Sequence, residues 1–193
     1  MLDGIGGLPG LEGLQGVAYS AADMFVNLSS EYPDLLDAIF FIMAGIGVFI
    51  TLPAVFEIIK SGDNNKQYSS FGSIATRMLF GSLLVDLAFW GNVLCDSLWS
   101  LDNPLGIESY ASGGGDPSQV ALYAVIGFMV LTGWVTLGRA FIMGGKLGYV
   151  TPDARSDLIG NIAARVCAGS AMVASLHLAG VFGESTGFSL MPG

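Results

Sequence analysis

Apolar residues run almost unbroken from about Ala38 to Ile59, Phe71 to Leu94 or Trp99, Val120 to Met143 and Leu158 to Phe182. Each run reaches the ~20 residues needed to cross ~30 Å of hydrocarbon as a helix. Between them lie polar, helix-breaking stretches, such as Asn103-Pro104, Gly113-Gly114-Gly115 and Asp116-Pro117 in loop 100–117. Pro53 inside the first run reads as a kink, which neighbouring membrane helices tolerate. Ahead of the first run, Leu14, Val17, Ala18, Ala21, Phe25 and Leu28 recur at helical spacing. They predict a short amphipathic helix, lying on the membrane or against the bundle, that ends at a break at Tyr32-Pro33-Asp34. The expected architecture is all-α: four transmembrane helices in two hairpins, preceded by an N-terminal amphipathic helix. Its parts are an outer-side segment 1–36, a first hairpin 37–99, an outer loop 100–117, a second hairpin 118–183 and a tail 184–193.

Composition agrees with a membrane protein. Apolar residues make up 52% and charged residues 12% of the 193, against about 25% charged in soluble domains, and mean hydropathy is +0.65. A formal charge of −9 argues against nucleic acid or an anionic membrane surface as the dominant partner. Met1-Leu2-Asp3-Gly4 lacks the basic start of a secretory signal, so the spans themselves are expected to direct insertion. Cys95 and Cys167 fall at different expected depths, roughly 20 Å apart at ~1.5 Å rise per residue. A disulfide spans at most ~7 Å between Cα atoms, so both are expected as free thiols.

Charge placement gives the orientation. All seven basic residues, Lys60, Lys66, Arg77, Arg139, Lys146, Arg155 and Arg165, lie in or near loops 60–70 and 143–157. The N-terminal segment, loop 100–117 and the tail have none. Lys and Arg collect on the cytoplasmic side, so both basic loops are expected inside and both termini outside.

The second and fourth spans repeat each other. Phe71–Val85 and Ile159–Val173, offset by 88, share seven of fifteen residues: Gly72/Gly160, Ile74/Ile162, Ala75/Ala163, Arg77/Arg165, Gly81/Gly169, Ser82/Ser170 and Val85/Val173. The first and third match more loosely, Thr51-Leu52 and Phe56 against Thr136-Leu137 and Phe141. The unit is a hairpin, and two copies in one orientation make a parallel repeat. Small residues let membrane helices approach closely. Gly72, Gly81, Ser82, Gly160, Gly169 and Ser170 are therefore candidate packing positions. So is the stripe Ala163, Cys167, Ala171, Ser175 and Ala179, which should press against another helix in the chain or in a neighbouring copy. Leu131 is expected to face lipid.

Arg77 and Arg165, about six residues inside their spans, are expected to snorkel to the cytoplasmic interface or to pair with acids or lipid phosphates at a subunit contact. Asp86 falls mid-span, where an acid is costly. It reads as a structural partner, a pore-lining group or a proton relay, and the second copy has Ala174 in its place. His177 has no companion ligands, so no metal site is expected. Ser175 and His177, two apart on a helix, do not share a face for nucleophilic catalysis. No enzyme activity and no cofactor is expected, although a bound phospholipid is allowed. Trp90, Trp99 and Tyr110 suit an interfacial aromatic belt.

DMFVNLSSEYPDLLDAIFFIMAGIGVFI, the returning GSIATRMLFGSLLVDLAFW and the later IGFMVLTGWVTLGRAF resemble the small inner-membrane subunits of type IVB secretion and IncI-type conjugation systems, the DotE/IcmC (TraQ-like) group. The topology is also similar to two conjugative-pilin hairpins in tandem. The resemblance implies a bacterial inner-membrane subunit with periplasmic termini, or an extracellular one if it enters a fibre. It would act by assembly with copies of itself and other secretion or conjugation subunits, without sequence-specific nucleic-acid binding. Lys60, Lys66, Lys146 and Arg155 would face the cytoplasm or a lumen. The competing expectation is an independent small transporter or proton-coupled channel centred on Asp86.

Overall fold

The structure, a computed structural model, describes Met24, Asn27 and residues 31–60, 71–100 and 117–186. Most of the expected N-terminal amphipathic helix, Lys66, residues 101–116 of the outer loop and the end of the tail lie outside these residues. The described residues form helices with no strand: α1 Tyr32–Lys60, α2 Phe71–Val85, α3 Leu87–Trp99, α4 Pro117–Gly145, α5 Pro152–Val173 and α6 Ser175–Thr186.

Helix α1 starts earlier than expected. Pro33 opens it, because a first-turn residue has no intrahelical use for its N–H, and Asp34 suits the positive end of the helix dipole. Tyr32 is buried and donates its hydroxyl to the Ala124 carbonyl at 2.8 Å, tying the start of α1 to the start of α4. Helices α1 and α4 are each long and apolar enough to cross a membrane. Only 17% of the most apolar stretch of α1 is buried, against 56% in α4. Helix α4 is therefore the central post and α1 is largely exposed. Leu131, expected on the lipid face, is in fact 7% exposed and part of the core with Trp134 and Leu137. Helices α2 and α5 pack on two sides of α4, so more of its circumference is covered than a peripheral span would show.

Helices α1 and α4 run parallel in constant register. Tyr32 lies on Gly127, Phe40 meets Trp134 edge-to-face at 4.9 Å, Met43 lies on Gly138 and Ile50 on Gly145. Helix α2 returns antiparallel to α1, and α5 antiparallel to α4. Each return is tightest where two glycines cross. A Cβ on Gly47 would stand 2.6 Å from the Gly81 carbonyl oxygen, and one on Gly133 would stand 2.8 Å from that of Gly169. Such spacing admits no side chain, which is how small residues bind membrane helices together.

Two expected spans are not straight. The chain bends by 90° between α2 and α3 and by 71° between α5 and α6, so each pair is a broken span or a re-entrant segment. At 15 residues, α2 extends only ~22 Å and does not reach across the hydrocarbon by itself. The breaks fall at Asp86 and Ala174. Around both, the same backbone bonds persist: Asp86 N–H to the Ser82 carbonyl and Trp90 N–H to that of Asp86, Ala174 N–H to that of Ser170 and Leu178 N–H to that of Ala174.

Candidate functional site

The α4–α5 turn and the facing ends of α1 and α2 meet at one end of the bundle, around Arg77. Arg77 lies one turn beyond Ser73 on α2, and Nε donates to the Ser73 carbonyl at 3.2 Å. From this position the guanidinium reaches α1, where Nη1 and Nη2 donate to the two carboxylate oxygens of Glu57 at 2.9 and 2.5 Å. Its carbon sits 4.6 Å from the centre of the Tyr149 ring, in the α4–α5 turn. Gly148, beside Tyr149, lies against the Ser73 backbone, where no Cβ fits. A planar fork suits this geometry better than an ammonium, because it pairs bidentately at its edge and stacks on an aromatic with its face. Arg77 is 3% exposed and Glu57 29%, so the pair is largely withdrawn from water. Of the two expectations for Arg77, the structure shows the pairing with an acid, but with Glu57 on the adjacent helix of the same chain and not at a subunit contact.

Arg165, at the matching place on α5, is half-buried and has no ion pair among the described residues. Lys60, Arg139, Lys146 and Arg155 are exposed. Beside Arg77, a cleft of about 270 Å³ opens between α1 and α4. Ile46, Phe49, Ile50, Pro53 and Ile142 form its apolar wall, and Arg77, Lys146 and Tyr149 its polar end.

Asp86 is not an acid aimed into a straight membrane helix. It stands exposed at the break, where its carboxylate accepts from the Phe89 N–H at 3.4 Å and caps α3. The break frees the first-turn N–H groups of α3, and a carboxylate there satisfies one of them.

The expected packing residues divide. Gly81, Gly169 and Ser170 are buried at the crossings. Ser170 is fully buried, and its hydroxyl accepts from the Trp99 Nε1–H at 3.1 Å, joining α3 of the first hairpin to α5 of the second. Cys95 is buried with its Sγ 4.0 Å from the Ser170 carbonyl, within about one turn of Cys167 on α5, so the expected ~20 Å difference in depth is not found. Cys167 is exposed, and both thiols are free. Gly72, Ser82, Gly160, Ala163 and Cys167 are exposed, while Ala171, Ser175 and Ala179 are half-buried. Thus the stripe from Ala163 to Ala179 is not the face α5 packs with in this chain. That face is Gly169, Ser170 and Val173, because close approach needs a small residue opposite another one, and Gly133 lies there.

His177 is exposed, and among the described residues no group of three or more His, Cys, Asp or Glu is placed to hold a metal ion. Glu57, Tyr149, Gly47 and Gly133 are important contacts that the sequence reading did not select. Glu57 had a usable signal: in a hairpin, an acid near the end of one helix lies level with a base near the start of the next. No protein family matches the chain, and no curated protein or solved structure matches it.

Proposed function

We propose that this chain is an inner-membrane structural subunit of a conjugation or type IV secretion apparatus, acting by helix–helix assembly. The observation that carries the reading is the likeness of its two hairpins. The glycine crossings, Gly47 on Gly81 and Gly133 on Gly169, and the helix breaks, Asp86 and Ala174, recur at matching places. On the returning helices the spacing is 88 residues, the spacing of the sequence repeat. On the leading helices the contacts support 86, not the 85 of the Thr51/Thr136 match, since Thr51 meets Gly81 where Leu137 meets Gly169. A duplicated hairpin is a module for making helix contacts, in keeping with the resemblance to secretion and conjugation subunits.

In this reading the two basic ends face the cytoplasm and the termini the periplasm, following the Lys and Arg distribution. Among the described residues the buried side chains form one core cluster, and so few spans make a bundle too thin to enclose a wide conduit. A conduit for a polymeric substrate therefore requires several copies or other subunits around it. Asp86 serves as a cap, which accounts for it without a proton relay.

Deleting the gene in its host and measuring DNA transfer and protein export tests this reading. Transfer or export should fail while growth continues, and a tagged chain should copurify with other inner-membrane subunits. Normal transfer and export, with loss of uptake of a small solute instead, would favour the transporter reading centred on Asp86.

A further inference from the structure

We infer that the cleft between α1 and α4 holds one anionic phospholipid, with an acyl chain against Ile46, Phe49, Ile50 and Ile142 and the phosphate at Lys146 and Tyr149. The inference rests on the membrane reading and does not depend on a secretory role. The cleft is apolar along its length and cationic only at one end, which is the pattern of a lipid and not of a free anion. Its charge balance is also favourable. Glu57 neutralises Arg77, while Lys146 has no acidic partner among the described residues, so the described lining of the cleft carries one uncompensated positive charge. The overall charge of −9 does not oppose this, because the basic residues are concentrated at this end.

The cleft is also fixed in shape. Gly145 leaves room at its floor, where a Cβ would stand 3.2 Å from Ile50, and Arg77 holds the Tyr149 ring at its mouth. Pro53 in the wall has no N–H to give the Phe49 carbonyl.

Native mass spectrometry of the full chain, released from detergent with added lipid, tests the site. Phosphatidylglycerol should be retained at one copy per chain, and uncharged diacylglycerol and inorganic phosphate should not. Lys146→Glu should weaken retention roughly tenfold, the loss of one charge-assisted contact. Lys146 is exposed, so the variant should fold. Arg155→Glu, the same charge change in the first turn of α5, should retain the lipid. Equal retention of diacylglycerol would mean nonspecific apolar coating, and capture of phosphate alone would mean a simple anion site. Either result, or undiminished binding to Lys146→Glu, would overturn the inference.

Discussion

Gly47 and Gly81 meet backbone to backbone, leaving no room on either for a side chain. The same holds for Gly133 and Gly169. Gly45, two residues from Gly47, has nothing within 4 Å of an added Cβ. Replacing Gly47 or Gly133 by Ala should therefore destabilise the bundle by about 1–3 kcal/mol, the usual cost of overpacking. Gly45→Ala should leave stability unchanged or slightly raised. Reversible unfolding in mixed micelles distinguishes the three; equal effects at Gly45 and Gly47 would mean that the crossing is not a tight contact.

Arg77 and Glu57 should be strongly coupled. Removing one member of a buried pair strands the other, at about 3–5 kcal/mol, and the residual exposure of Glu57 places Arg77→Gln near the lower figure. Arg77→Lys should rescue only part of the loss, because an ammonium cannot pair bidentately while stacking on Tyr149. A double-mutant cycle with Glu57→Gln measures the coupling. Additive effects would show that the two side chains do not interact.

Ser170 and Trp99 offer a contrast between losing one partner and losing both. Ser170→Ala leaves the indole N–H without its acceptor, at about 1–3 kcal/mol, whereas removing both polar groups can be nearly neutral. The double variant Ser170→Ala with Trp99→Phe should thus recover part of the stability lost by Ser170→Ala alone. No recovery would argue that the α3–α5 contact is held by packing and not by this hydrogen bond.

Asp86→Asn keeps a capping side chain, while Asp86→Ala removes it at about 1 kcal/mol. An assembly subunit should therefore assemble normally with Asn and less well with Ala. A protein whose work is proton transfer would lose flux equally in both while remaining assembled. Measuring assembly and flux on the two variants separates these outcomes.

The long apolar helices were legible because span length and composition follow directly from the solvent. The breaks at Asp86 and Ala174 were not: Asp86 sits inside an apolar run, where an acid reads as a membrane-buried charge and not as a cap. Packing was half legible for a similar reason. The shared Gly81 and Gly169 pointed to the crossings, but Gly47 and Gly133 are 86 apart and fall out of step in the 85-residue match of the leading helices. The stripe from Ala163 to Ala179 was regular but is exposed or half-buried, while α5 packs within the chain through Gly169, Ser170 and Val173. Leu131 looked like a lipid contact because hydropathy alone does not distinguish lipid from a neighbouring helix. Arg77 carried enough information to mark an important position, yet its partner came from the antiparallel pairing of α1 and α2, which only the hairpin geometry supplies.

The central claim is that two hairpins cross the membrane in parallel, with both basic ends in the cytoplasm. Single-cysteine labelling in intact cells, on a chain with Cys95 and Cys167 replaced by Ser, tests it most directly. Cysteines introduced at Lys66 and Lys146 should be protected from an impermeant maleimide until the membrane is opened, and one at Ser112 should react at once. Immediate labelling at Lys66 or Lys146, or protection at Ser112, would contradict the account.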